Sequence, residues 1–176
     1  DGYAAKLEYP YRPESITYAA QRFRSIYEMY LRRSKGRIFM TVVPDKGYYL
    51  APEAGYPALD YEAMVATLEQ QLPWAEFADL RNALEADSYY RTDTHWRQEK
   101  ILDVADRILT TMGAKIDNNY THSKLDNEFY GVYYGQLGLP LEPDKLAYLN
   151  HALFADCKII NHENGQEIPM YSMAKA

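Results

Sequence analysis

Several things are scarce in this sequence, and each scarcity excludes something. There is one cysteine, Cys157, so no internal disulfide framework can form. Long apolar runs are missing. The longest, Ile38-Phe39-Met40-Thr41-Val42-Val43, falls far short of the ~20 residues a bilayer-spanning helix needs. Basic residues are in deficit: 19 Lys and Arg stand against 25 Asp and Glu, a net charge of −6, which argues against nucleic acid as a partner. Neither G-x-G-x-x-G nor G-x-x-x-x-G-K-[ST] occurs, so no nucleotide cofactor is expected. The opening Asp1-Gly2-Tyr3 has no initiator Met and no charged-then-apolar leader, and by itself says nothing about export.

What is present reads as an ordinary globular chain. Its 176 residues are 47% apolar and 25% charged, which suits a single domain and excludes a disordered or fibrous class. The 18 tyrosines stand out. Each joins an apolar ring to a polar tip, a combination suited to sugar-binding surfaces and equally to the margin of a core. The one dense basic cluster, Arg32-Arg33-Ser34-Lys35-Gly36-Arg37, fits a helix C-terminus, where cations complement the dipole.

Residues 1–14 are rich in Pro and Tyr and read as an extended lead-in to a domain over 15–176. Ser15 is the expected cap of a first helix carrying Ile16, Ala20, Phe23 and Tyr27 and ending at Gly36. Arg37 to Val43 reads as a buried strand, broken by Pro44-Asp45-Lys46-Gly47 and followed by a loop with Pro52, Gly55 and Pro57. Asp60 caps a second helix with Met64, Leu68 and Leu72 on one face. Trp74 to Leu80 reads as a strand, and Trp96, Ile101, Val104, Ile108 and Met112 mark a third helix closed by Gly113. This alternation implies an α/β layer fold with a mostly parallel sheet. Later, a short helix is expected over 143–151 and a hairpin over 157–171 with Asn164-Gly165 at its tip. Two strands make a poor sheet, so either more strands follow later in the chain or part of the domain is absent from it, and an incomplete domain is expected.

One segment carries chemistry: Tyr89-Tyr90-Arg91-Thr92-Asp93-Thr94-His95-Trp96. In a turn, an Asp can reach the Nδ1–H of a His two residues on. That contact fixes the tautomer and leaves Nε2 as a base. A helix starting at this point would favour the carboxylate and disfavour imidazolium. The same spacing also fits Asp93 as a helix cap beside a surface His95. Lys46, just past a predicted strand, is placed to hold a substrate carboxylate or an oxyanion, or is a solvated turn lysine. Tyr48, Tyr90, Arg91 and Trp96 are candidates to line a sugar groove; for Trp96 the alternative is helix packing. No metal is expected. Asp87, Asp93 and His95 make a thin ligand set, and His122, His151 and His162 are scattered.

The run Thr92-Asp93-Thr94-His95-Trp96, preceded by Tyr89-Tyr90-Arg91, resembles the signature of the DHHW proteins. It is similar to the alginate O-acetyltransferase branch of the SGNH-hydrolase-like group. Pro44-Asp45-Lys46 with Tyr48-Tyr49-Leu50, and Phe129-Tyr130-Gly131 with Gly135, extend the likeness. Thr94 departs from the motif, standing where its first His would be. The resemblance implies an SGNH-like three-layer α/β/α domain with a Ser-His-Asp triad, in which Asp93 orients His95 and a later Gly-Asp-Ser-like turn supplies the nucleophile. That turn is lacking here. Ser88, Ser123 and Ser172 are poor substitutes, so the Ser is expected beyond Ala176 and this fragment is expected to be inactive alone. The implied partners are a glycan or polysaccharide substrate and an unidentified acyl donor. The implied location is exported, cell-surface or membrane-anchored, with any anchor outside this chain. The alternative function is a non-catalytic glycan-binding or assembly module of the same fold.

Overall fold

The computed structural model describes residues 2–115, 117 and 119–171; Ser172 lies outside them. The first helix, α1 (Pro13–Ile26), starts two residues before the expected Ser15 cap. Proline suits the first helical position, because its missing N–H has no intrahelical partner there anyway. A π-helical turn (Tyr27–Leu31) ends the helix short of Gly36, and Tyr27 stacks on Trp74 with ring centroids 4.3 Å apart. Ala20 gives α1 close access to Tyr61, Met64, Leu68 and Leu72, which form the first core cluster.

β1 (Ile38–Val42) pairs in parallel with β2 (Ala75–Asp79), from Ile38↔Ala75 to Val42↔Asp79. The connection holds two helices, α2 (Lys46–Glu53) and α3 (Tyr61–Gln71). α2 corrects the expected loop. Asp45 starts it by accepting from Gly47 N–H at 2.6 Å, and Pro52 lies inside it, one residue before its end. Tyr61 Oη donates to the other Asp45 oxygen at 2.6 Å, tying the start of α3 to the start of α2. Asp60 caps α3 as expected, accepting from Ala63 N–H at 2.8 Å.

The third helix, α4 (Leu102–Thr111), begins six residues later than Trp96. Trp96 instead faces Tyr89 in an antiparallel bridge, with Arg97 N–H donating to Ser88 O at 2.7 Å and Tyr90 N–H to His95 O at 3.2 Å. The motif therefore lies in a tight, hairpin-like loop. Leu80, Leu84, Tyr89 and Val104 form a second core cluster beneath it, with Trp96 and Ile101 packed on its edge.

β3 (Thr121–Phe129) and β4 (Asp144–Asn150) are antiparallel, with a register shift between Lys124 and Glu128. α5 (Val132–Leu137) lies between them. The helix expected over 143–151 is thus a strand. Pairing with β3 satisfies its backbone, and Lys145 faces out while Asp144 and Ala147 are buried. β5 (Ile159–Ile160) and β6 (Glu167–Ile168) form the expected hairpin, with Gly165 at φ 70° in its turn. The fold is mixed α/β with small sheets. Among the described residues, one strand pair is parallel and two are antiparallel, which corrects the expected mostly parallel sheet.

Candidate active site

Asp93 and His95 meet through one local device. Asp93 Oδ1 accepts the backbone N–H of His95 at 2.9 Å and lies 2.5 Å from His95 Nδ1. An Asp side chain that folds onto the backbone two residues ahead presents the same oxygen to the ring of that residue. Asp93 Oδ2 accepts from Val132 N–H at 2.8 Å, so both oxygens are engaged. The two residues differ in exposure. Asp93 is 5% exposed, while the His95 side chain is 76% exposed. Burial pushes the Asp93 carboxyl up. The N–H groups of Val132 and His95 and the His95 ring outweigh it, and the group titrates below the usual carboxylate range. With Nδ1–H donated to a carboxylate, the neutral ring presents Nε2 as its acceptor. The helix-dipole argument does not apply, since no helix starts at His95.

The loop that carries the dyad is clamped from both halves of the chain. From the first half, Lys46 is 3% exposed, and its ammonium donates to the carbonyls of Tyr90 at 2.7 Å, Arg91 at 3.0 Å and Asp93 at 2.8 Å. Burial lowers its pKa to about 8, against the pull of the Asp144 and Asp93 carboxylates. The Tyr133 ring lies 5.0 Å from the ammonium. All three donors are engaged, so Lys46 has none left for a substrate; it holds the loop instead. From the second half, Asp144 at the start of β4 accepts Arg91 N–H at 2.7 Å, Thr92 N–H at 2.8 Å and Thr92 Oγ1–H at 2.6 Å. Thr92 is fully buried; its Oγ1 accepts Gly131 N–H at 2.9 Å, and its carbonyl accepts Tyr133 N–H at 2.9 Å.

Gly131 is required by close approach. A Cβ there would sit 2.4 Å from Asp93 Cβ and 2.5 Å from Thr92 O. Asp144, Thr92, Gly131 and Val132 were not among the expected site residues. Thr92 and Gly131 lay inside the quoted motifs, but their partners are 39 to 52 positions away, a relation the spacing does not carry.

The expected sugar-groove residues are dispersed. Tyr48 packs against the first core cluster, edge-on to Tyr61 at 5.0 Å. Tyr90 is buried, edge-on to Phe129 at 5.2 Å, and burial raises its pKa. Trp96, half-buried, packs against the edge of the second core cluster. Arg91 is exposed beside the dyad, near Glu142 at 3.5 Å and over the Tyr3 ring at 5.7 Å. Ser88 is buried and occupied with Glu85 N–H at 3.1 Å, and Ser123 Oγ accepts from Asn150 at 2.9 Å. Three clefts, of about 480, 390 and 440 Å³, are lined by other residues than Asp93 and His95. The His95 ring stands exposed to solvent. No helix among the described residues is long and apolar enough to cross a membrane.

No protein-family model matches the chain, and no curated protein matches it. Solved structures do. A DHHW family protein from Eubacterium siraeum aligns with a TM-score of 0.65 at 20% identity, covering 84% of this chain and 50% of its own. Bacillus cereus PatB1 aligns at 0.61 and 14% identity, covering 81% and 54%. The O-acetyltransferase domain of Pseudomonas putida AlgJ aligns at 0.57 and 15%, covering 85% and 59%. The resemblance to DHHW and AlgJ-type proteins therefore holds at the level of fold. The chain spans between half and three-fifths of the length of these structures.

Proposed function

We propose that this chain carries the Asp–His half of an acyl-transfer centre acting on an exported or cell-surface glycan, as an O-acyltransferase or esterase. The observation that carries the reading is the His95 ring, held through Nδ1 by a buried carboxylate and open to solvent at its other side. The likeness to an O-acetyltransferase domain supports the reaction class. The attacking Ser is proposed to come from outside residues 1–176. His95 Nε2 takes the Ser proton as the oxygen attacks the acyl carbonyl. It returns that proton to the departing donor oxygen, leaving an acyl-Ser. A glycan hydroxyl or water then attacks the ester carbonyl, its proton passes to Nε2, and the Ser leaves with that proton. Asp93 keeps its charge throughout and stabilises the imidazolium. Arg91, exposed in the loop that carries the dyad, is a proposed substrate contact.

The test is His95→Ala in the full-length protein, with acyl-ester hydrolysis and acyl transfer to polysaccharide measured. Loss of both by at least about a hundredfold is expected, the usual cost of removing a general base. Retained activity would overturn the assignment. A second reading, a non-catalytic glycan-binding module, is favoured by the engagement of Ser88 and Ser123 elsewhere. It predicts oligosaccharide binding by the full-length protein without turnover.

A further inference from the structure

We propose that Tyr130 and Tyr134, at the junction of β3 and α5, form a stacking platform for a pyranose ring beside the Asp93–His95 dyad. Tyr48, Tyr90 and Trp96 are committed to packing, so the tyrosine suited to a sugar has to be found elsewhere. Tyr130 is 48% exposed. Its ring sits edge-on to Tyr134, with centroids 4.6 Å apart and planes at 63°. Its Oη donates to Glu128 Oε2 at 2.8 Å. The Tyr130 tip is thus held and its half-exposed ring is packed against a second aromatic ring, so little side-chain freedom is left to lose on binding. The Glu128 carboxylate has acceptor capacity left for sugar hydroxyls.

The platform is fixed to the dyad by the backbone. Gly131, the next residue, lies against Asp93, and Val132 N–H is bonded to the Asp93 carboxylate. A ring stacked on Tyr130 is therefore carried by the segment that holds the proposed base. An aromatic face pairs with the apolar C–H face of a pyranose, while the Glu128 carboxylate takes its hydroxyls. The choice of a sugar as ligand rests on the proposed function; the platform geometry does not.

The test is an NMR titration of the ¹⁵N-labelled full-length protein with two probes, chitotetraose and a mannuronate tetrasaccharide. At least one is expected to shift the amides of residues 130–134. Tyr130→Ala should weaken that binding about tenfold, the loss of one stacking contact. Tyr130→Phe, which keeps the ring, should retain it. Tyr130 is exposed, so neither variant threatens the fold. Absence of shifts with both probes, or undiminished binding by Tyr130→Ala, overturns the platform. Binding at this surface combined with unchanged activity of full-length His95→Ala would leave the platform standing and remove the proposed catalysis. His95-dependent activity with no binding at Tyr130 would do the reverse.

Discussion

Asp93 does two jobs with one carboxylate: it closes a turn on His95 N–H and orients the ring. Its pH signature follows from the direction of its shift. The folded group titrates below the unfolded value of about 3.9, so it binds fewer protons than the unfolded chain in the interval between them. Its contribution to stability is fully present above that value and is lost as pH falls through the folded pKa. Urea unfolding at pH 7 and near pH 3 should therefore show Asp93→Asn less stable than wild type at the higher pH, with the gap closing at the lower. Lys46→Met tests the other charged residue of the loop. The buried carbonyls of Tyr90 and Asp93 lose this donor, while Arg91 O keeps Ala4 N–H at 2.9 Å; the change should cost about 2–3 kcal/mol in the same measurement, partly offset by removing a desolvated charge. The residue types of the dyad were readable from their spacing, because an Asp-x-His turn is a local object. The role of Lys46 was not. A lysine after a strand looks solvated until the chain that buries it, more than 40 positions away, is in place.

At the scale of elements, local signals predicted best where they were self-contained. The Asp60 cap, the Ile38–Val42 strand and the Asn164-Gly165 turn depend on neighbours in sequence. α2 was hidden because Pro52 and Gly55 look like loop residues, while the Asp45 cap that starts the helix is a single side chain. β4 was hidden because Asp144-Lys145-Leu146-Ala147-Tyr148 suits either state, and its pairing with β3 decides. The sequence puts Asp144 at the start of a short helix, yet its carboxylate is the clamp that accepts from Arg91 and Thr92. Gly131→Ala tests the approach of α5 to this loop. With no space for a methyl group, it should cost about 1–3 kcal/mol in thermal or urea unfolding and displace the Asp93 and Val132 amide resonances.

At the scale of the molecule, the dyad sits where the two halves of the chain meet. Lys46 belongs to the parallel β1–β2 half, Asp144 and Gly131 to the antiparallel β3–β4 half, and the 90–95 loop is held between them. Asp144→Asn should loosen that junction as a unit. Hydrogen exchange at the amides of Thr92, Gly131 and Val132 should accelerate together, by about tenfold for each 1.4 kcal/mol lost. Independent changes at these amides would show that the contacts are not cooperative.

A pre-oriented base has one fixed tautomer, so the ring of His95 itself carries the decisive reading. Long-range ¹H–¹⁵N correlation of the imidazole, recorded where the ring is neutral, distinguishes a protonated Nδ1 from a protonated Nε2. The Asp93 contact at Nδ1 should leave the proton on Nδ1 and Nε2 bare in the wild type, with that preference lost in Asp93→Asn. A wild-type ring protonated on Nε2, or an even mixture unaffected by Asp93→Asn, would contradict it.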